Sequence, residues 1–354
     1  MNYIAMDCHI STLEFAVVNE SGRITQEKRV NTGVKELIEF VKSVPKPRKI
    51  IMEEGTLASW ALEMCTDFGE ELIITDPKTN RWIGQSGQKN DAFDARRLGQ
   101  LARGGYIKEI HHPKGNRRRF RELVLSYHDT VKSETRIKNK LKAKFRQNGI
   151  SCNGETVYLD KHREEWKKKL PKDKVVHLVV EGLWSQLDKI QEVKDGILQL
   201  IRTQGRHYPE IKRFKEVPGI GPIHAATISA ILETPNRFAN KKKVWTYAGL
   251  GIVEKSSGGK LYSRKLTRDY NRLLKYSLKQ AAESAISASD NPFRRHYLQM
   301  TLEKGIPPHR ARLTVARSIV ATLYGMWKSG GEYDPDIKEK IAGKKQTDSS
   351  NPSC

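Results

Sequence analysis

Long apolar runs are missing from this sequence: none approaches the roughly 18 residues that a membrane-spanning helix needs. The N-terminal MNYIAMDCHIS has neither the basic start nor the apolar core of a secretory signal. Cysteine is scarce. Cys8, Cys65, Cys152 and Cys354 stand far apart with no CxxC pair, which argues against a zinc site or a disulfide framework and points to a reducing cytoplasm. Acidic residues are in deficit, 41 against 64 lysines and arginines, which leaves a formal charge of +23. An excess of that size favours a polyanionic partner, because each cation that meets a phosphate releases condensed counterions. The excess is also clustered: residues 103–146 hold 14 Lys or Arg against 4 Asp or Glu, a local net of +10. That clustering weighs against an ordinary soluble protein with a solvated basic surface. No membrane partner is expected.

What is present begins with alternation. Tyr3, Ala5 and Asp7 alternate with Ile4 and Met6, Leu13 to Val18 is a second apolar stretch, and Glu20-Ser21-Gly22 turns into a third strand from Arg23 to Val30. A helix is expected from about Val34 to Val44, a buried strand at Lys49–Met52, and a helix from Leu57 to Phe68 stopped by Gly69. A strand at Leu72–Thr75 is broken by Asp76-Pro77, and a helix from Asp91 to Arg103 follows. Three strands of a meander, then helix, strand, helix, strand, helix, describe an α/β domain whose order suits an RNase H-like sheet. From Arg117 to about Gln147 the pattern is helical and basic, able to pack on its own domain or on another chain. Residues 160–205 carry an apolar stripe through Val176, Val180, Leu183, Leu187, Ile190, Val193, Ile197 and Ile201, which reads equally as a coiled-coil arm or a helical linker. A third, mainly helical unit begins at Tyr208. The division expected is therefore 1–155, 156–207, 208–335 and a polar, disordered tail at 336–354.

Four carboxylates carry the clearest chemistry. Asp7 ends the first strand, Glu53 ends the buried strand, and Asp91 and Asp94 lie three apart on one helix face. A carboxylate at the end of an apolar strand is costly unless something neutralises it. Two such strand ends and a helical pair suit a hard, oxygen-seeking cation such as Mg2+. Two metals roughly 3.5–4 Å apart can clamp the attacking and leaving oxygens of a phosphodiester transfer. Taken singly, each residue has a plainer explanation: a solvated strand end, a helix cap at Asp91, an arginine partner for Asp94. Glu54 competes with Glu53, which is preferred because it follows the apolar run directly.

Two C-terminal motifs bear on binding. In FKEVPGIGPIHAATISAIL, Pro218-Gly219-Ile220-Gly221 reads as a helix-hairpin-helix turn whose backbone N–H groups could meet a phosphate, or as a compact helix corner needing glycine only for its backbone angles. Ser256-Ser257-Gly258-Gly259-Lys260 reads as a flexible loop followed by Arg264, Lys265, Arg268, Arg272 and Lys275. A serine there could attack a phosphate among stabilising cations, although Ser-Gly loops are common connectors. Gly219, Gly221, Lys260, Arg264, Lys265 and Arg268 are candidate nucleic-acid contacts, as are Arg117, Arg118, Arg119 and Lys138 of the basic helix.

YIAMD, IIMEEGT and KNDAFDARRL, with VPGIGPIHAATI, YAGLGIVEKSSGGK and YGMWKSGGEYDP, resemble the DEDD-type transposases of insertion sequences, the family that includes the Piv DNA invertases and the bridge-RNA-guided recombinases. The resemblance runs to about Pro335. It implies a RuvC-like N-terminal domain in which Asp7, Glu53, Asp91 and Asp94 bind Mg2+, and a C-terminal transposase domain in which Ser257 is a nucleophile. It further implies one composite site from both domains, a homo-oligomer (dimer or tetramer), donor and target DNA as substrates, and a noncoding guide RNA. The chain departs from the family pattern at Ile252, where proline is usual, at Tyr270, where glycine is usual, and in the shortened Glu53-Glu54-Gly55-Thr56. Two other functions compete: a RuvC-like, metal-dependent Holliday-junction or structure-specific endonuclease without serine catalysis, and a catalytically silent RNA- or DNA-binding protein. The serine motif and long C-terminal region argue against the first, the intact tetrad against the second.

Overall fold

The computed structural model describes residues 1–82, 91–258 and 260–336; the side chains of Thr79, Arg81, Trp82, Asp91, Lys255 and Leu261 lie outside the description. The polar tail expected from residue 336 thus falls almost wholly outside the described residues. The chain divides into two compact units, Met1–Arg118 and Arg119–Cys354.

In the first unit β1 (Asn2–Cys8), β2 (Thr12–Val18) and β3 (Ile24–Asn31) form an antiparallel meander. After α1 (Val34–Ser43) the chain returns as β4 (Arg48–Glu53), parallel to β1. After α2 (Ala58–Asp67) it returns again as β5 (Leu72–Thr75), parallel to β4. The sheet order is β3-β2-β1-β4-β5. Then come α3 (Pro77–Trp82) and α4 (Asp91–Arg103). Side-chain alternation sorts the two faces. Ile4, Met6, Ile50 and Met52 pack against Leu37, Val41, Ala61 and Leu62 of α1 and α2, while Ala5 and Ile51 pack against Leu98 and Ala102 of α4. A β-carbon at Gly99 would lie 2.6 Å from Val18 Cγ2, so α4 can lie this close to the sheet only with glycine there. The edge strand β3 is exposed along most of its length and carries Glu27, Lys28 and Arg29, charges that discourage pairing with another sheet.

The second unit is mainly helical. Most of α5 (Gly115–Gln147) belongs to it, followed by α6 (Arg163–Lys167) and α7 (Lys174–Gly205). α7 runs antiparallel to α5. Leu141 and Phe145 meet Val180, Leu183, Trp184 and Leu187 at one end, and Phe120 and Val124 meet Ile201 at the other. Between them Glu134 accepts from Lys194 Nζ at 2.6 Å. The apolar stripe of residues 176–201 therefore finds a partner within its own chain. Then follow α8 (Pro209–Phe214), α9 (Pro222–Leu232), α10 (Lys241–Tyr247), the hairpin β6 (Ile252–Ser257) and β7 (Lys260–Leu266), α11 (Arg272–Ser287), α12 (Pro292–Leu298) and α13 (Pro308–Ser329). Asn240, Asn271 and Asn291 cap α10, α11 and α12 by accepting from first-turn N–H groups at 2.9–3.2 Å. The core gathers around α9, buried from Ala225 to Leu232 and surrounded by Leu278 and Ala281 of α11 and Val315 and Ile319 of α13. No helix among the described residues is long and apolar enough to cross a membrane.

Candidate active site

In the first unit, Asp7 and Glu53 stand at the C-terminal ends of two neighbouring interior strands. β1 and β4 are parallel neighbours with Met6 opposite Met52, so Asp7 and Glu53 are the next residues of adjacent strands. Both continue the face of Ala5 and Ile51, the face that α4 covers. α4 runs opposite to β1. Gln100 near its C-terminus donates to Gly22 O at 2.7 Å, and Gly99 lies over Val18, which pairs with Tyr3 near the start of β1. Its N-terminus, with Asp91 and Asp94, is therefore directed toward the end of the sheet where Asp7 and Glu53 stand. Asp94 is exposed; the Asp91 side chain lies outside the described residues. Among the described residues, no three His, Cys, Asp or Glu side chains are gathered closely enough to hold a metal ion. The donor set is oxygen-only, which fits a hard divalent cation in kind.

The partners of these carboxylates are specific. His9 Nε2 lies 3.2 Å from Asp7 Oδ2. Asn80 Nδ2 donates to Glu53 Oε1 at 2.8 Å and lies 3.0 Å from Thr75 Oγ1. Asn80 is 3% exposed, its Oδ1 is buried with no hydrogen-bond partner among the described residues, and its carbonyl accepts from Arg97 Nη2 at 2.6 Å. Glu54 follows on the opposite face and is hydrogen-bonded to His112 Nε2, whereas Glu53 shares a face with Asp7. Beside Asp7, burial above all, and then the Asp7 and Cys65 charges, push the Cys8 thiol up to about 12. Burial and Glu70 do the same to Cys65. Burial thus favours the neutral form of both thiols, which makes them poor nucleophiles.

Sequence reasoning missed Asn80 because it missed α3, having read Asp76-Pro77 only as a strand break. The signal was present: Asp76 Oδ1 accepts from Lys78 N at 3.0 Å, and Pro77 occupies the first helical position, where its missing N–H costs nothing.

In the second unit, the serines do not lie in a flexible loop. Ser256 and Ser257 are the last residues of β6, with Ser257 paired to Lys260 across the turn. Gly258 has φ +57°, the left-handed conformation that a tight hairpin turn demands. Both serines are exposed. At the base of the hairpin Arg317 Nε donates to Leu250 O at 2.7 Å; burial, and then the nearby charge of Arg264, lowers its pKa from the usual guanidinium range. Tyr270 lies against Gly249, where a β-carbon would come within 2.6 Å of the ring, and Lys275 Nζ is 4.1 Å from the ring centre. The Pro218–Gly221 turn joins α8 to α9 as a packed corner. Gly219, at φ +87°, lies where a β-carbon would approach Ala281 O to 2.2 Å, so its backbone seats against α11; Gly221 is the N-cap of α9.

Several candidate cations are already engaged. Arg118 pairs with Glu63 at 2.8 Å, Lys138 with Glu134 at 2.9 Å and Arg264 with Glu254 at 2.8 Å. Arg119, Lys260, Lys265 and Arg268 are exposed, and Arg117 is half-buried.

The chain thus joins an α/β unit, with Asp7 and Glu53 at the ends of neighbouring strands, to a mainly helical unit with a basic hairpin. Residues 4–148 match the DEDD-type IS110 family, described as a transposase, and residues 211–298 match the transposase IS116/IS110/IS902 family. Both matches are to transposase domains of the IS110/IS116/IS902 insertion elements. It is 26% identical over 165 residues to the insertion element IS110 43.6 kDa protein of Streptomyces coelicolor, covering 47% of this chain and 40% of that one. It is 29% identical over 170 residues to the insertion element IS116 44.8 kDa protein of Streptomyces clavuligerus, covering 47% and 41%. A Sinorhizobium fredii protein named as a transposase, y4pF/y4sB, is 22% identical over 339 residues, 93% of this chain and 85% of that one. The match thus spans about two fifths of the length of the two Streptomyces relatives.

Proposed function

We propose that this chain is a DNA transposase or site-specific recombinase that cuts and rejoins DNA with a carboxylate tetrad and a serine nucleophile, guided by a noncoding RNA. The observation that carries the reading is that Asp7 and Glu53 end adjacent parallel strands on the face covered by α4, in a sheet whose order, β3-β2-β1-β4-β5, suits an RNase H-like domain. Asp7, Glu53, Asp91 and Asp94 are the residues that would hold Mg2+, which supplies charge neutralisation to a phosphodiester in transfer. In the second unit the exposed Ser257, paired with Lys260 and followed by Lys265 and Arg268, is the proposed nucleophile. Its Oγ bonds to phosphorus, the bridging oxygen of the cut strand leaves, and the hydroxyl proton passes to a base. The phosphoserine bond keeps the energy of the phosphodiester, so rejoining needs no nucleotide cofactor. The Pro218–Gly221 corner serves as the helix-hairpin-helix contact to DNA, the domains act as 1–155, 156–207 and 208–335, and the working form is a dimer or tetramer.

The test uses labelled donor and target DNA with wild type, Asp7→Asn, Ser257→Ala and Ser256→Ala, denatured to reveal protein-linked strands. The expected result is an adduct lost in Ser257→Ala but kept in Ser256→Ala, with recombination lost in Asp7→Asn while its melting temperature holds. Efficient recombination by Ser257→Ala with no adduct in any sample would overturn the serine mechanism and favour a RuvC-like nuclease. Absence of discrete copurifying RNA, with no preference for a flanking transcript over random RNA, would remove the guide.

A further inference from the structure

The hairpin that presents Ser257 contains an irregularity. Along β6 and β7 the pairs run Glu254 with Arg264 and Lys255 with Ser263, then Ser256 with Leu261 and Ser257 with Lys260. Tyr262 is left over. It is the extra residue of a β-bulge, one step from the strand position opposite Ser256. A bulge bends the strand and re-aims the side chain it carries, and bulges recur beside active sites for that reason. The Tyr262 side chain is 70% exposed. Its strand neighbours Lys260, Arg264 and Lys265 are all exposed. Ile252 and Val253 of the hairpin are also about half exposed, and among the described residues β6 pairs with β7 alone.

An isolated exposed tyrosine needs no explanation. Tyr262 differs in three respects. It occupies a bulge, which a plain two-stranded ribbon would not contain. It stands within two residues of the hairpin turn. It is set among cations that suit a phosphate backbone. An aromatic ring beside a basic ribbon is the combination that holds an unpaired nucleotide, because every base offers a π-face for stacking while the cations hold the backbone.

We propose that Tyr262 is a nucleobase-stacking site: its ring takes an unstacked base of a single DNA strand while Lys260 and Lys265 hold the flanking phosphates. The inference deepens the reading of the hairpin as the strand-cutting element and rests on it for its place in the reaction. A base captured here fixes the register of the strand along the ribbon, and so fixes which phosphate comes to the serine. The chemical class of the ligand is single-stranded or locally unpaired DNA. Intact duplex must first give up a base from its stack, so it should bind this site more weakly than the single strand.

The test uses the full chain, a single-stranded oligodeoxynucleotide carrying the fluorescent base 2-aminopurine, and the duplex of the same sequence. Wild type, Tyr262→Phe, Tyr262→Leu and Tyr262→Ala are compared. Stacking predicts that 2-aminopurine emission is quenched on binding by wild type and Tyr262→Phe, and not by the Leu or Ala variants. Single-strand affinity should fall about tenfold in Tyr262→Ala and stay within about twofold in Tyr262→Phe. The slope of affinity against salt should not change in any Tyr262 variant, and should become shallower in Lys260→Gln with Lys265→Gln, since only those remove charge. Single-strand binding by Tyr262→Ala equal to wild type would overturn the proposal. So would a Phe variant as weak as Ala, since the hydroxyl rather than the ring would then make the contact. The protein–DNA adduct at Ser257 is scored in separate samples. Quenching with no adduct leaves the stacking site standing and removes the serine reading; an adduct with no quenching does the reverse.

Discussion

Asn80 connects a buried polar network to the end of β4. Its amide nitrogen serves both Glu53 and Thr75, and its Oδ1 faces no partner among the described residues. An unsatisfied buried oxygen costs about 1–3 kcal/mol, which the hydrogen bonds from the same amide to Glu53 and Thr75 help to offset. Asn80→Ala removes the donor that orients Glu53 and leaves its Oε1 free to rotate. The expected outcome is loss of recombination with a fall in stability of about 1–3 kcal/mol in a denaturant titration. Asn80→Asp keeps the shape but sets a second carboxylate against Glu53. It should therefore raise the Mg2+ concentration needed for half-maximal activity, a dependence that a purely structural role for Asn80 would leave untouched. The alternation that places Asp7 and Glu53 on one face was legible in the sequence, because period-two patterning is local. Asn80 was not, because its contact crosses 27 residues of chain and depends on a six-residue helix.

Between elements, α5 and α9 meet at a histidine. His128 on α5 is buried, with Nε2 2.9 Å from Thr227 Oγ1 of α9, and His224 one turn earlier on α9 has its Nδ1 buried without a partner among the described residues. Burial lowers both pKa values from 6.5, with the charge of His224 and then that of Lys132 adding to the effect at His128 and Asp129 opposing it. The unfolded chain binds these protons near 6.5 and the folded chain only at lower pH. Stability is thus fully present above 6.5 and is lost as pH falls from there through the lowered folded values. The melting temperature should fall on acidification across that window, and the slope should be shallower in His128→Gln. An equal slope in the variant would place the titration elsewhere. Helix periods predicted α5 from Arg117 to Gln147 and the apolar stripe that α7 buries, since both helices pack along one continuous stripe. The stretch Ser256–Lys260 read as a flexible loop, and the strands on either side went unread, because they carry Lys, Ser and Arg where a half-buried strand would alternate apolar and polar residues. Exposure on both faces removes the pattern on which strand reading depends.

For the molecule as a whole, the charge of +23 matters through its distribution. On α5, Lys138 is held by Glu134 and lies over the Tyr158 ring at 5.1 Å, and Arg118 is held by Glu63, so those two cations serve the fold. Arg136, Lys140 and Arg146 are exposed. Replacing these three by Gln should lower nucleic-acid affinity and make log K against log salt shallower by about 0.7–0.9 for each phosphate no longer neutralised. Lys138→Gln should act mainly on stability, by leaving the buried Glu134 with fewer cations. If Lys138→Gln reduces the salt slope as much as the triple variant does, its ammonium leaves Glu134 to meet phosphate.

The three described cysteines have a practical consequence of their own. Cys8 and Cys65 lie in the first unit, with thiols held near 12, and Cys152, in the second, is 1% exposed with its pKa also raised by burial. A thiol that is neither ionised nor reachable reacts with an alkylating reagent only when the structure around it opens. With Cys354 and the half-buried Cys8 replaced by serine, the rate at which Cys65 and Cys152 are labelled becomes a clock for the opening of the unit that holds each. Mass spectrometry of the labelled peptides would then read the stability of the two units separately in one sample, with no added probe.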